Sequence, residues 1–524
     1  MFFDAKAMTE FFRDKEGTEI AKMLAGDEKK DDKKDEKKDS VKKVEKIKLD
    51  LEGREDRIFR LTRNSGRIGT HFLTEDGKKL LYIVRLESGY DLCSMDLEDK
   101  SVRVLKKGVY GFVPSPDGKN IYISTGGGIS KMSVNGGESK SISYAGEYEY
   151  KPKAEREYIF DHMWKQVKEK FYDPDLHGVD WDYYRENYRK FLPYINNDFD
   201  FAELLSEILG ELNASHTGGR YRYSGGLSFG TLGVLYDSEY NGDGLKIKEV
   251  LPDGPLSIAD SEIKAGDIIA SIDGKPVEAG KDWYQLLTGK AGKKIAITVK
   301  KGGKKETELF VTPGYSDNAL LYRRWVKMRE AKVRELSGGK IGYVHVQGMD
   351  SPSFREVYSK ALGKYRTADA LIVDTRHNGG GWLHDDLVTF LGGKDYVNYQ
   401  PRGRFIGKDP YSKWSKPSCV LVCEDNYSDA CGFPYAYKSL GIGKLIGAPV
   451  AGTMTAVWWE YQINSSIVFG IPQVGSWCID EGHYSENHQI EPDILVYNDP
   501  ASVLRGEDRQ LEAAVREMLA ETTK

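Results

Sequence analysis

Four short stretches of this 524-residue chain carry residue types able to run acyl-transfer chemistry. In Cys419-Val-Leu-Val-Cys-Glu-Asp-Asn-Tyr-Ser428-Asp429 a β-rich apolar run reaches Val422, polar residues follow, and a helical pattern starts at Asp429. Ser428 therefore stands where a buried strand hands over to a helix, at the strand end where open α/β sheets bind ligands. It reads either as a helix N-cap or as a nucleophile, and one serine can be both. A serine hydroxyl is inert without a base, and Ser215-His216 supplies an imidazole whose ordinary pKa suits that role; the alternative is a structural histidine. That ordinary pKa places loss of activity below about pH 6–7. His377-Asn378-Gly379-Gly380-Gly381 offers backbone N–H groups that approach a ligand closely, as an oxyanion hole requires, or else it is a plain turn. A phosphate loop is excluded, because no Gly-Lys-Ser/Thr follows the glycines. Glu486, in Glu486-Asn487-His488, either orients a hydroxyl or imidazole or is a solvated loop acid. The histidines His377, His384, His483 and His488 show no His-Glu-x-x-His or similar ligand spacing, so neither a metal nor another cofactor is expected.

These stretches need elements to position them. Residues 314–524 alternate strand and helix: 340–346 and 370–375 read as buried strands, 354–365 and 382–391 as helices, and 320–336 as a charged helix leading in. Residues 151–226 have helical spacing, with Ile159, Phe160, Met163, Trp164, Val167 and Phe171 on one face and 201–212 on another that ends at Ser215-His216. Residues 227–313 form a compact β-rich block. Residues 46–150 have period two, and Asp76-Gly-Lys and Asp117-Gly-Lys recur at a spacing of 41, each ahead of an apolar strand. That interval suggests β-propeller blades, but only about two, where closure takes at least four. The chain is therefore expected to be the later part of something longer, or its propeller is vestigial. Residues 1–45 hold a short amphipathic piece and then a charged run, 27–39, without an apolar residue, read as a solvated connector.

Composition excludes several classes. A formal charge of -5 with no long basic patch gives no reason to expect nucleic-acid binding. No run of about 18 apolar residues points to a membrane span. Five cysteines, an odd number without metal spacing, fit a reducing compartment, hence a cytoplasmic location, or a periplasmic one if an upstream export signal was removed.

The 227–313 block, through Gly230-Thr-Leu232-Gly233-Val234, Pro252-Asp-Gly-Pro255, Ala265-Gly-Asp-Ile-Ile and Ile272-Asp-Gly, resembles a PDZ domain. Such a module captures a peptide as an added strand, with Leu232-Gly233-Val234 at the carboxylate-cradling loop, or it only braces its neighbours. Together with His177-Gly-Val-Asp-Trp181, Gly210-Glu-Leu-Asn-Ala-Ser215-His216, Asp374-Thr-Arg-His-Asn-Gly-Gly-Gly381, Asn426-Tyr-Ser428-Asp429 and Glu486 through Ile494, the order of motifs resembles the tricorn proteases, within the tail-specific serine peptidases. The resemblance implies a multidomain α+β chain with partial propeller blades, a helical domain, a PDZ domain and an α/β, crotonase-like catalytic domain. It implies a serine peptidase acting on oligopeptides through an acyl-enzyme. Its tetrad would have Ser428 as nucleophile, His216 as base, Ser215 bridging to the imidazole and Glu486 orienting Ser215. The oxyanion hole would be the N–H of Asp429 and of Gly380, with Gly379 as a one-residue alternative. It also implies peptide partners and a homo-oligomer. A non-catalytic PDZ-containing scaffold and a metal-dependent hydrolase are the rival readings. In the family, an acid downstream of the glycines favours basic cleavage sites; here that region reads Val397-Asn-Tyr-Gln400, with the nearest acid at Asp395.

Overall fold

The computed structural model describes residues 51–62, 66–86, 89–223, 225–257, 262–302 and 305–523, so the charged 1–45 segment lies outside the described residues. The chain divides into two compact units, Met1–Glu149 and Tyr150–Lys524.

In the first unit the 41-residue repeat is two four-stranded antiparallel meanders, spanning 68–107 and 109–142. Each repeat closes the same hairpin. The Thr74 hydroxyl donates to Asp76 at 2.6 Å and the Ser115 hydroxyl to Asp117 at 2.5 Å. Each carboxylate also accepts a backbone N–H, from Lys78 and Lys119. Turn chemistry of this kind fixes strand register, and Leu81, Ile83, Leu92, Phe112, Ile121 and Ile123 make one apolar core between the sheets. Neither sheet closes into a barrel, as expected of partial blades.

The second unit is built on a five-stranded parallel sheet: Ile341–His345, Ala370–Asp374, Ser418–Val422, Lys444–Gly447 and Ile494–Leu495. Every residue of the first three strands is buried, which is why they read as unbroken apolar runs rather than alternating ones. Helices cover both faces: Asn318–Ser337 and Arg509–Glu521 on one, Ser351–Ser359, His384–Leu391 and Asp429–Ser439 on the other. Spatial order equals chain order, so the sheet has no point at which strand order reverses. The carboxyl ends of the second and third strands nevertheless lie side by side, and they carry the glycine run and Ser428.

Arg376 locks this end of the sheet. It is 2% exposed, donates to both oxygens of the fully buried Asp374 at 2.7–2.9 Å, and reaches Asp508 at 2.8 Å. Burial alone would push the Asp374 carboxyl up; the Arg376 charge and hydrogen bonds override it and hold it at about 2. Replacing Arg376 with Met strands that charge, and the expected cost is about 3–5 kcal/mol of unfolding free energy, read from the urea midpoint at neutral pH. A midpoint unchanged within error would remove Arg376 from this role.

The helical segment does not close its core alone. Its helices Pro152–Lys170 and Asp198–Gly210 bury Phe160, Met163, Phe201 and Leu205 against Ile467, Phe469 and Ile471 of the Ile467–Gly475 strand. That strand pairs with Thr455–Tyr461 and also with Gly218–Tyr221, just after His216. Gly470 makes the fit possible, since a Cβ there would stand 2.5 Å from the His216 carbonyl oxygen. A segment far along the chain thus docks the Ser215-His216 corner onto the catalytic half.

The β-rich block is a six-stranded sheet whose edge strand is Val234–Tyr236. Leu232 and Val234 are core residues, 1% and 5% exposed, so their side chains are not offered to a ligand. What the loop offers is backbone. The carbonyls of Leu232 and Gly233 take the N–H groups of Leu256 and Leu251, while the N–H groups of Leu232 and Gly233 meet no acceptor among the described residues.

Candidate active site

Ser428 lies at the junction of the Ser418–Val422 strand and the Asp429–Ser439 helix, with φ 57° and ψ -125°. That region is strained for any residue with a Cβ and costs about 1–3 kcal/mol, so the surroundings must impose it. Asn426, 1% exposed, does much of this. Its amide oxygen takes the Cys423 N–H, and its Nδ2 donates to Thr375 Oγ1 and to the Ala430 carbonyl. The Ala430 carbonyl would ordinarily accept from residue 434, but Pro434 has no N–H to give, and Asn426 replaces it. The Ser428 N–H donates to Thr453 Oγ1 at 3.1 Å. Gly380 is packed against the elbow, where a Cβ would meet Ser428 Cβ at 2.5 Å and the Tyr427 carbonyl oxygen at 2.7 Å.

One expectation is corrected here. Ser428 occupies the N-cap position but makes no side-chain capping bond. A capping serine sits in the β region so that its hydroxyl turns back to its own helix; at φ 57° the side chain is turned out of it. The Ser428 hydroxyl makes no hydrogen bond among the described residues.

Glu486, Ser215 and His216 form a connected relay. Glu486 is 4% exposed and accepts from the Ser215 N–H at 2.5 Å and the Ser215 hydroxyl at 3.0 Å. It is no solvated loop acid. Ser215 Oγ is 2.8 Å from His216 Nδ1. Burial pushes the Glu486 carboxyl up, against the two Ser215 hydrogen bonds, and burial lowers His216 to about 4. The relay therefore holds a neutral imidazole, with its Nε2 free of any hydrogen bond among the described residues.

Two residues that motif reading passed over complete the arrangement. Thr455 Oγ1 lies 3.0 Å from His216 Nδ1 and 3.1 Å from Ser215 Oγ, a second hydroxyl on the same nitrogen. Tyr427 joins the two halves: its hydroxyl accepts the His216 N–H at 2.7 Å, its ring lies 4.7 Å from the imidazole, and its own N–H donates to the Asn378 carbonyl. Tyr427 is adjacent to Ser428, and adjacency was the only signal available; Thr455 left none.

The glycine run and Asp429 supply N–H groups of unequal availability. The Asp429 N–H has no acceptor among the described residues, as befits the first residue of a helix. The Gly380 N–H is engaged by Asn378 Oδ1 at 2.8 Å, whereas the Gly379 N–H has no acceptor among the described residues. The Asp429 carboxylate has a separate duty. It accepts from the N–H groups of Leu383 and His384 at 2.5 and 3.0 Å and from His384 Nδ1 at 2.5 Å, clamping the start of the His384–Leu391 helix beside the elbow. Asp395 forms a partly exposed ion pair with Lys408.

Known proteins give the same outline. Family models match three successive parts of the chain: the tricorn protease C1 domain over residues 152–210, the tricorn protease PDZ domain over 239–314, and peptidase family S41 over 340–496. Tricorn protease homolog 1 of Streptomyces coelicolor is 28% identical over 509 residues, which is 90% of this chain and 47% of that protein. The tricorn protease of Thermoplasma volcanium is 27% identical over 447 residues, 83% of this chain and 43% of that protein. A putative tricorn-like protease C-terminal subunit of Sulfurisphaera tokodaii is 27% identical over 381 residues, 70% of this chain and 43% of that protein. In fold, the chain superposes on a crystal structure of the tricorn protease with a TM-score of 0.77 at 22% identity, covering 92% of this chain and 49% of the other. Fold and site thus define a PDZ-bearing chain with an S41 peptidase domain. The chain belongs to the tricorn protease family, and it spans less than half the length of the curated relatives it matches.

Proposed function

We propose that this chain is a serine peptidase that hydrolyses oligopeptides through an acyl-enzyme. The observation that carries the reading is the buried Glu486–Ser215–His216 relay joined through Tyr427 to the Ser428 elbow. Ser428 Oγ attacks the scissile carbonyl while His216 Nε2 takes its proton and later passes it to the leaving amine. Ser215 fixes the imidazole's tautomer through Nδ1, and Glu486 fixes Ser215. A hydroxyl bridge transmits orientation with less charge stabilisation than direct contact between carboxylate and imidazole.

The N–H of Asp429 stabilises the tetrahedral oxyanion together with an N–H of the glycine run. Gly380 fits the role by its closeness to Ser428, and Gly379 by its uncommitted donor. Ser428 and His216 share no hydrogen bond among the described residues, and the bond between them is expected to form when substrate binds, as catalytic hydrogen bonds often tighten only in the complex. No step calls on a metal. A peptide reaches the PDZ-like edge Val234–Tyr236 as an added strand, its carboxylate on the N–H groups of Leu232 and Gly233. Five free, buried cysteines support a reducing compartment, and no described helix is long and apolar enough to cross a membrane.

The direct test is labelling with a fluorophosphonate, which reacts only with an activated serine. The label is expected on Ser428 alone, found by peptide mass mapping. Labelling elsewhere, or none in a protein that cleaves peptides, refutes the assignment. The unbonded Ser428 hydroxyl gives a peptide-binding scaffold one point in its favour; tight peptide binding without cleavage across the neutral range would select it.

The acid limb of activity moves from its sequence-based position. The active base is neutral imidazole, and burial favours the neutral form, so His216 protonates near 4 rather than 6.5. Activity is expected to hold from neutrality down to about pH 5 and to fall tenfold per unit below about 4 in kcat/KM. A limb at 6–7 would mean that solvent or the Glu486 charge governs the imidazole instead.

A further inference from the structure

We propose that His377, Cys423 and Asp425 bind one divalent cation of the zinc type at the base of the two segments that carry the glycine run and Ser428. The imidazole, thiol and carboxylate atoms all lie within 4.8 Å of one another. His377 Nδ1 is 2.9 Å from Asp425 Oδ2, and Cys423 Sγ is 2.7 Å from Asp425 Oδ1. The second of these contacts is the thiol donating to the carboxylate, and a cation would take the place of that proton. Tetrahedral zinc, with bonds of about 2.0–2.3 Å, would hold such donors about 3.3–3.6 Å apart, so the two contacts to Asp425 would each open by less than about one ångström. One sulfur, one nitrogen and one oxygen suit zinc or cobalt and disfavour calcium and magnesium.

Access also fits. Cys423 is 4% exposed and forms the floor, while the His377 and Asp425 side chains are 60% and 63% exposed and form a rim, leaving a fourth position open to water. On binding, the thiol proton passes to solvent and the thiolate becomes the ligand. The spacing gave no warning, because His377 meets Cys423 and Asp425 only through the pairing of the Ala370–Asp374 and Ser418–Val422 strands. A second cluster, Cys478, Glu481 and His483, lies on neither of the two segments that carry the glycine run and Ser428.

The ion would tie His377, two residues before Gly379, to Asp425, three before Ser428, and so fix the separation of these loops. Binding itself does not depend on the peptidase reading.

The test is a Co2+ titration of chelator-treated protein, followed by near-ultraviolet thiolate-to-cobalt absorption and by thermal melting. One equivalent is expected to bind, to raise the melting temperature, and to be displaced by Zn2+. Cys423→Ser should abolish the absorption, and His377→Ala and Asp425→Ala should each weaken Co2+ binding by at least the roughly 10–100-fold that losing an outer partner of a metal ligand costs. Cys478→Ser and His483→Ala should change neither. Absorption that survives Cys423→Ser, that disappears in Cys478→Ser, or that never develops overturns the proposal. If Cys423→Ser does not fold, the two exposed positions decide it.

Discussion

Ser428→Ala is expected to lower kcat for oligopeptide hydrolysis by about 10^4–10^6, to background, with the melting temperature unchanged or raised. The change removes one hydroxyl that makes no hydrogen bond among the described residues, so nothing in the fold loses a partner. Alanine retains a Cβ, so the strain at φ 57° stays and the Asp429 N–H keeps its place. The variant should still bind peptide, which separates chemistry from recognition. Full turnover by Ser428→Ala would end the serine-peptidase reading, and a collapse in stability would mean that the hydroxyl holds the elbow together.

His216→Ala is the second large effect, with a loss in kcat comparable to that of Ser428→Ala. The backbone N–H of residue 216 still reaches the Tyr427 hydroxyl, so the docking of the two halves survives the truncation. Base and nucleophile act as one unit, and the double variant should be no slower than either single one, because a hydroxyl without a base contributes almost nothing. The residual rate of His216→Ala should also lack the acid limb that burial places near pH 4. A residual rate with the wild-type limb would assign that limb to another group. Losses that multiply in the double variant would show that the two residues work independently.

Much of this was readable in the sequence, for reasons tied to particular residues. The strands Ile341–His345, Ala370–Asp374 and Ser418–Val422 announce themselves because they are buried on both faces, and continuous apolar runs follow from that. The blades were visible as a repeat because Asp-Gly-Lys, with its hydroxyl residue two positions before the Asp, recurs at matching positions of the two turns. Ser215-His216, Ser428 and Glu486 were found as motifs in a family order, not by any local periodicity.

What stayed hidden depends on contacts between distant residues or on backbone angles. Thr455 meets His216 only because the Thr455–Tyr461 strand is held by Ile467–Gly475, which also carries Gly218–Tyr221. The N-cap reading of Ser428 failed because residue type reports a preference for caps and says nothing of φ. Gly380 shows a finer limit: its need for glycine is set by a clash with Ser428, while its N–H is taken by Asn378.

Tyr427 carries a consequence for how the chain comes to work at all. Through its hydroxyl and its N–H, one side chain and one peptide group join residue 216 to residue 427 and residue 427 to residue 378. Contacts of such long sequence separation cost their loop-closure entropy before they return any stabilisation, and so they form slowly. The parallel sheet and the β-rich block can each reach their shapes while the nucleophile and its base are still apart. Such an order would keep a newly made chain silent toward peptides, including its own unfolded segments, until the rest of it is in place.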